Sequence, residues 1–149
     1  ALFLSAFWTT AFAAGNCTEE ELDIIGFKEG PFSDDSLRRM RDTNVAIRNV
    51  MVSNMGKTGP KHVRPLAKKT ERVLHKLGFT GVSLKCLDCF IISAQCVASH
   101  CMVPCFSNEY TNDCNECIEE NCRESFFDCV GHKTINPADH REAIEAMSR

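Results

Sequence analysis

Cysteines are the residues of this chain whose type and spacing could do chemistry. Nine of the ten lie between positions 86 and 129, and the tenth is Cys17. Two CxxC pairs, CLDC at 86–89 and CNEC at 114–117, have the spacing of zinc ligands or of a redox-active dithiol. The same residues could instead form structural disulfides, so three kinds of chemistry compete for them.

The spacing of the cysteines favours disulfides. Their gaps run 3, 7, 5 and 4 in the first half of the cluster and 3, 5 and 7 in the second, which is nearly a mirror image. Partners that face each other across an antiparallel helical hairpin have an almost constant sum of residue numbers. The sum is 218 for Cys89 with Cys129, Cys96 with Cys122 and Cys101 with Cys117, and 219 for Cys105 with Cys114; Cys17 and Cys86 remain as a fifth pair.

Helix geometry is compatible with this ladder of disulfides. Facing Cα atoms of closely packed helices lie roughly 4 to 5 Å apart, and a disulfide needs about 4.4 to 6.8 Å. The five-residue gap in each half turns the cysteines by about 140° around the helix. We therefore expect either a twist or kink of the ladder or irregular helices at that height.

The rival chemistries explain fewer of the cysteines. A zinc site built from the two CxxC pairs would leave six cysteines unexplained. A thioredoxin-like CxxC opens a helix after a strand in a βαβ unit, and the chain has no strand pattern of useful length. We therefore expect no metal, no cofactor and no catalytic residues, and a protein that is not an enzyme.

Helical patterns fill the chain before the cysteine cluster. Thr18 and Glu21 form a capping box that opens a short acidic helix, with Leu22 and Ile25 inward. A second helix spans about 34–55, with Met40, Met51 and Met55 among its expected core residues, and a third spans about 63–77 with Leu66, Val73, Leu74 and Leu77 inward.

The cysteine cluster itself contains two helical segments. They span about 83–103 and 113–130, and Pro104 with the polar stretch SNEYTND separates them. A last helix is expected from Asn136, with Pro137 at its first position. The predicted fold class is all-α, with a disulfide-stapled antiparallel hairpin at about 83–130 packed with two or three further amphipathic helices.

The N-terminus has the character of a targeting segment. Residues 1–14, ALFLSAFWTTAFAA, form an apolar run followed by small residues, as in a signal peptide, and the chain is expected to derive from a longer precursor. A retained apolar anchor, with membrane contact through residues 1–14, is the alternative. The expected units are therefore 1–14, a helical part at 15–80, the hairpin at 81–131 and a C-terminal helix at 132–149.

Export and cysteine content together indicate the compartment. An even number of cysteines behind such an N-terminus favours an oxidising, extracytoplasmic location, either the thylakoid lumen or the secreted space. Asn16 begins a weak glycosylation sequon, Asn16-Cys17-Thr18.

Charge is segregated along the chain. Residues 57–85 carry eight basic residues and one acid, whereas residues 86–149 carry eleven acids and four basic residues. The two segments could dock on each other, face different partners, or form solvated helix faces. The basic segment has no interleaved aromatic residue apart from Phe79 near its end, so nucleic acid is not an expected partner.

From Gly81 to Gly131 the chain resembles a cysteine-rich helical module that recurs in predicted exported and plastid proteins of dinoflagellate algae. The resemblance rests on Gly81, Ser83, Phe90, Phe126 and Gly131 with the nine cysteines between them. The resemblance implies an interaction or structural role and no known catalysis.

The expected function is that of a non-enzymatic structural or interaction protein with a protein partner. One form of it is a small lumenal accessory subunit of a membrane complex, such as a photosystem. The alternatives are a secreted binding or membrane-active helical protein and a thiol-disulfide or zinc protein that uses the CxxC pairs.

The ladder predicts that the native protein contains no free thiol. Alkylation without reduction should add no label by mass spectrometry, and peptide mapping of the unreduced protein should recover the five cross-linked pairs. Alkylation of four cysteines, as expected for a chelator-treated zinc site, would contradict the ladder.

Overall fold

The computed structural model describes residues 15–147, and among these it confirms the all-α class. Eight α-helices and two 3₁₀ helices are present in this part of the chain, with no β-strand. The α-helices are α1 (Glu19–Ile24), α2 (Asp34–Ser53), α3 (Val63–Lys76), α4 (Leu84–His100), α5 (Met102–Cys105), α6 (Asn112–Asn121), α7 (Arg123–Val130) and α8 (Arg141–Ala146), and the 3₁₀ helices are Pro60–His62 and Pro137–His140. The predicted signal peptide or anchor at 1–14 lies outside the described residues.

The cysteine-rich segment is a hairpin in which α4 faces α6 and α7. Five disulfides join the predicted pairs, four of which follow from the constant index sum while Cys17–Cys86 remains as the fifth, with Cα–Cα distances from 4.6 to 5.9 Å. Four of them cross-link the two arms, and Cys17–Cys86 ties the N-terminal part of the described chain to the start of α4. The hairpin is therefore covalently fixed along its whole length.

Both arms are irregular where the cysteines change face. In the first arm α4 ends at His100, and Cys101 has a non-helical backbone (φ −125°, ψ 16°). In the second arm the break between α6 and α7 falls at Cys122 (φ −129°, ψ −27°). Each break falls at the last cysteine of a five-residue gap, 96–101 in the first arm and 117–122 in the second. The cysteines therefore change face where the helix of each arm is interrupted.

The position of the first break differs from the expectation that the helix would continue to about residue 103. Pro104 lies inside α5 and does not end it. Proline has no N–H to donate to the carbonyl four residues earlier, and its ring clashes with that group. That carbonyl belongs to His100, so α4 stops there and a new helix starts at Met102 with Pro104 at its third position.

The core is organised around α4, which contacts α2, α3, α6 and α7. Leu87 and Ile91 are fully buried, and α2 and α3 pack on this helix with apolar faces of helical spacing. The main contributions are Leu37, Met40, Ile47 and Val50 from α2 and Leu66, Ala67 and Leu74 from α3. Leu22 and Ile25 of the first helical segment are buried as predicted, and Thr18 and Glu21 form the predicted capping box.

Two residues predicted to point inward are exposed. Met55 is 72% exposed because α2 ends at Ser53 and its cap is Asn54, so Met55 lies in the following turn. Leu77 is 46% exposed because it is the C-cap of α3, immediately before Gly78. Helical spacing continues past both helix ends in the sequence, but the backbone does not follow it.

The C-terminal element also starts differently from the prediction. Asn136 is the expected N-cap, but its side-chain oxygen accepts from Ala138 N–H, two residues ahead, at 3.1 Å. This short reach is typical of a tight turn. Residues Pro137–His140 accordingly form a 3₁₀ helix, and the α-helix begins only at Arg141.

Glu21 connects the first helix to the hairpin. One carboxylate oxygen accepts from the Thr18 N–H at 3.0 Å and the other from the Ser83 N–H at 2.6 Å. Burial by itself raises the pKa of Glu21, but the hydrogen bonds from Ser83 and Thr18 outweigh it, so the pKa lies below its ordinary value. Ser83 is the N-cap of α4, so this carboxylate joins the start of α1 to the start of α4.

Substitution of Glu21 by glutamine should destabilise the fold by about 1–3 kcal/mol at neutral pH, because an amide has one acceptor oxygen for two backbone donors. Urea unfolding measures the loss, with the neighbouring exposed Glu20→Gln as the matched control. A lowered pKa in the folded state stabilises above the unfolded pKa, near 4.3, and this contribution is lost as the pH falls through the folded value. The difference between wild type and Glu21→Gln should therefore shrink in acid; a difference independent of pH would contradict this role.

Candidate functional site

A groove of about 470 Å³ lies between α2, α4 and the second arm of the hairpin. Its floor is the face of α4 that carries Ala94, Val97 and Ala98. One wall is the C-terminal half of α2, including Met51, and the other includes Ile118 of α6. A pocket of this volume between helices, lined mainly by apolar side chains, is typical of a binding site for a small ligand.

The groove exists because α4 carries small residues where its neighbours leave space. Phe90, Ala94 and Ala98 follow one another at four-residue intervals and so lie on one face. Phe90 is 5% exposed and fills its part of the core, whereas the two alanines cannot reach the opposite wall and are only half-buried. Three phenylalanines, Phe27, Phe90 and Phe126, close this end with two edge-to-face contacts at 5.0 Å between ring centroids.

The turn of the hairpin forms an exposed apolar tip, defined here as Met102, Val103 and Phe106. These side chains are 43%, 90% and 70% exposed. The disulfides Cys101–Cys117 and Cys105–Cys114 flank the tip, and an Arg48 guanidinium N–H donates to the Phe106 carbonyl at 2.9 Å. The tip is therefore a rigid apolar surface in contact with α2.

A basic cluster of Lys57, Lys69 and Arg72 adjoins the end of the groove formed by the C-terminus of α2. Lys57 and Asn54 line the groove, and the Lys69 ammonium donates to the Asn54 side-chain oxygen at 2.5 Å. Partial burial lowers the pKa of Lys69, and the nearby charges of Lys57 and Arg72 lower it further. Among residues 15–147 no carboxylate lies within ion-pair distance of these three cations.

Tyr110 lines the groove near Asn44 and Glu109. Burial raises the pKa of Tyr110, and the negative charge of Glu109 raises it further. Its hydroxyl is buried and has no hydrogen-bond partner in the described part of the chain. Its environment therefore keeps the tyrosine neutral and leaves one polar atom of the groove unsatisfied.

The ten predicted site cysteines lie along the hairpin and at its base. The two cysteines of each CxxC pair bind different partners: Cys86 pairs with Cys17 and Cys89 with Cys129, while Cys114 pairs with Cys105 and Cys117 with Cys101. A redox CxxC would join its own two cysteines. Only Cys105 and Cys114 line the groove.

Asn16, the weak glycosylation site, lies at the base of the hairpin. Its backbone N–H donates to the Cys129 carbonyl at 2.9 Å, and its side-chain amide lies 3.6 Å from the sulfur atoms of Cys89 and Cys129. Thr18, the third residue of the sequon, uses its hydroxyl to cap α1. Both polar residues of the sequon are thus in contact with the folded structure.

The basic and acidic segments of the sequence form one ion pair with each other in the described chain. The guanidinium group of Arg64 donates from Nε and Nη2 to the two carboxylate oxygens of Asp88, and the shortest of these contacts is 2.6 Å. The remaining basic side chains of 57–85 form no ion pair with the acidic segment among residues 15–147. The basic segment therefore presents most of its charge outward.

No protein family, curated protein or solved structure matches the chain. Among residues 15–147, none of the helices combines the length and the apolar character needed to cross a bilayer. Inference about function therefore rests on the groove, the tip and the basic cluster.

Sequence reasoning missed the groove and the tip. Small residues in the stretch SAQCVAS, 93–99, were a signal for the groove, since a fully packed helix of this length would carry larger side chains on its inner face. Apolar residues on both sides of Pro104 were a signal for the tip, because a connector exposed to solvent is normally polar.

Removal of the disulfide Cys105–Cys114 should loosen the tip without unfolding the hairpin. The double variant C105A/C114A opens a loop of nine residues, and chain entropy predicts a loss of up to about 2.5 kcal/mol. Hydrogen exchange should accelerate at 102–111 and stay slow at 84–95. The matched variant C96A/C122A should leave exchange at the tip unchanged; equal acceleration in both variants would contradict a local role.

Proposed function

We propose that this chain is a non-enzymatic interaction protein of an oxidising, extracytoplasmic compartment, and that its apolar tip binds another protein. The observation that supports the proposal is the exposure of Val103 and Phe106 on a turn flanked by two disulfides. Interfaces depend on a few apolar or aromatic anchors held in their bound geometry. Rigid anchors lose little conformational entropy on binding, so this small surface suits a specific contact.

The general part of this proposal, a structural or interaction role in an oxidising compartment, follows from the disulfides and the fold. Five disulfides in a small helical protein indicate an oxidising environment and suit a structural or interaction role there. The more specific form is a lumenal accessory subunit of a membrane complex, such as a photosystem. The resemblance of residues 81–131 to a module of dinoflagellate plastid proteins supports that form.

The groups with altered pKa support a role without catalysis. Glu21 bridges α1 and α4, and Arg64 forms an ion pair with Asp88 on the surface. Lys69 belongs to the basic cluster and Tyr110 to the opposite part of the groove. A catalytic constellation would place such groups within hydrogen-bonding reach of one another.

A second candidate is a secreted binding or membrane-active protein. The groove and the basic cluster favour it, because they combine an apolar surface with positive charge. The thiol-disulfide or zinc alternative has weaker support, since each CxxC cysteine is paired outside its own motif.

Site-specific photo-crosslinking tests the role of the tip. A benzoylphenylalanine at Val103 in the native host should crosslink to one dominant protein. The same residue at Ile92, an apolar position of α4 that is 46% exposed, is the matched control and should give no dominant product. The same scattered products from both positions would contradict the proposal.

Loss of the apolar tip should also remove the protein from its assembly. V103S/F106S should weaken partner binding by about 30-fold or more, as expected for hot-spot residues. Comigration with the complex on native gels measures the effect, and V45S, at an exposed position on α2, is the control. Unchanged comigration of V103S/F106S would overturn the proposed contact.

A further inference from the structure

One end of the groove combines an apolar interior with uncompensated positive charge. Lys57 lines this end, and Lys69 reaches it through its hydrogen bond to Asn54. Like charges held close to one another are unfavourable unless an anion lies between them. The three cations of the basic cluster therefore form a site of complementary charge for an anionic group at the mouth of the groove.

We propose that the groove binds one molecule of a single-chain anionic lipid, with its hydrocarbon chain along α4 and its head group at the basic cluster. The groove shares Met102 and Phe106 with the tip, but Val103 does not line the groove and the basic cluster is not part of the tip. Lipid binding can therefore be tested separately from binding of the protein partner.

The dimensions of the groove suit a thin hydrocarbon chain. Along α4 its floor runs from Phe90 to Ser99, about 14 Å by the helical rise. An α-helix with its side chains is about 10 Å across. The hydrogen bond from Arg48 of α2 to the Phe106 carbonyl joins the α2 wall to the tip, so a helix cannot pass between these two elements there. An alkyl chain is narrow enough to pass and has no polar groups to satisfy.

The charges along the groove orient the ligand. Glu109 and Tyr110 lie near Asn44, ten residues before Asn54 in α2 and hence about 15 Å from it along the helix. A carboxylate at that end repels an anionic head group. The other two cations of the lining already have partners within the protein. Arg48 donates a hydrogen bond to the Phe106 carbonyl, and Arg123 forms an ion pair with Glu119 at 3.0 Å. The head group is thus directed to the Lys57 end.

Calorimetric titration and native mass spectrometry of the full, oxidised chain test the proposal with defined probes. Laurate, myristate and palmitate, each below its aggregation concentration, should bind at one molecule per chain with micromolar affinity. Each added methylene should tighten binding about fourfold while the groove has room, because burial of a methylene contributes a nearly constant free energy. Hexadecanol, which has the same chain length as palmitate and no charge, should bind more weakly than palmitate.

Two sets of variants distinguish the site of the hydrocarbon chain from the site of the head group. Ala94→Phe fills the floor of the groove and should weaken the binding of palmitate and of hexadecanol alike by tenfold or more, because several methylenes of each ligand lose their buried contacts. Ala98→Leu fills less space and serves as the second variant if Ala94→Phe misfolds. K57E/R72E should weaken palmitate by about tenfold and leave hexadecanol unchanged. K85E is the charge-reversal control, because Lys85 is exposed at the start of α4 and does not line the groove.

Four results would overturn the proposal. The first is no binding of palmitate to the wild-type chain. The second is binding of several molecules with no effect of Ala94→Phe, as expected for adsorption to the surface. The third is an equal loss of palmitate affinity in K85E and in K57E/R72E, which would indicate unspecific attraction. Association only with anionic vesicles, abolished by V103S/F106S, would assign lipid contact to the tip.

Discussion

The register of the two hairpin arms is the constraint on which the rest of the structure depends. A disulfide closes only when its Cα atoms lie about 4.4 to 6.8 Å apart, so four successive cross-links allow one relative position of α4 against α6 and α7. Cys89 and Cys96 occupy one face of α4. Leu87 and Ile91 therefore lie on the side that faces α2 and α3, where both are fully buried. The cross-links thus decide which face of α4 enters the core.

The same constraint permits the groove. In an unlinked helical bundle, small residues such as Ala94 and Ala98 would let a neighbouring helix move closer, because interiors are close-packed. Here the second arm is held by Cys96–Cys122 and Cys105–Cys114 at a fixed distance from α4, so it cannot collapse onto the alanines. The disulfides lower the conformational entropy of the unfolded chain, and this stabilisation, not a larger core, offsets the free-energy cost of leaving the groove unfilled.

The sequence predicts this fold wherever a feature depends on local spacing. Helical periodicity gives the helices, and the capping box of Thr18 and Glu21 gives the start of α1. The index sum gives four of the five cysteine pairs and leaves Cys17–Cys86 as the fifth. Met55 and Leu77 are exposed although the sequence predicts them to be buried, because the apolar spacing continues past the residues at which the backbone turns. The groove could not be predicted in the same way, since it is a volume left between three elements that are distant in sequence.

The two proposed binding functions share part of one surface. Met102 and Phe106 belong to the tip and also line the groove, and Phe106 is bound to α2 through Arg48. A hydrocarbon chain in the groove would contact the inner sides of these residues, whereas a protein partner would contact their outer sides. By linkage, a lipid that favours one position of Phe106 changes the affinity of the partner by the same factor by which the partner changes that of the lipid. Val103 is proposed to contact only the partner and Ala94 only the lipid, so substitutions at these two positions should change the two affinities separately.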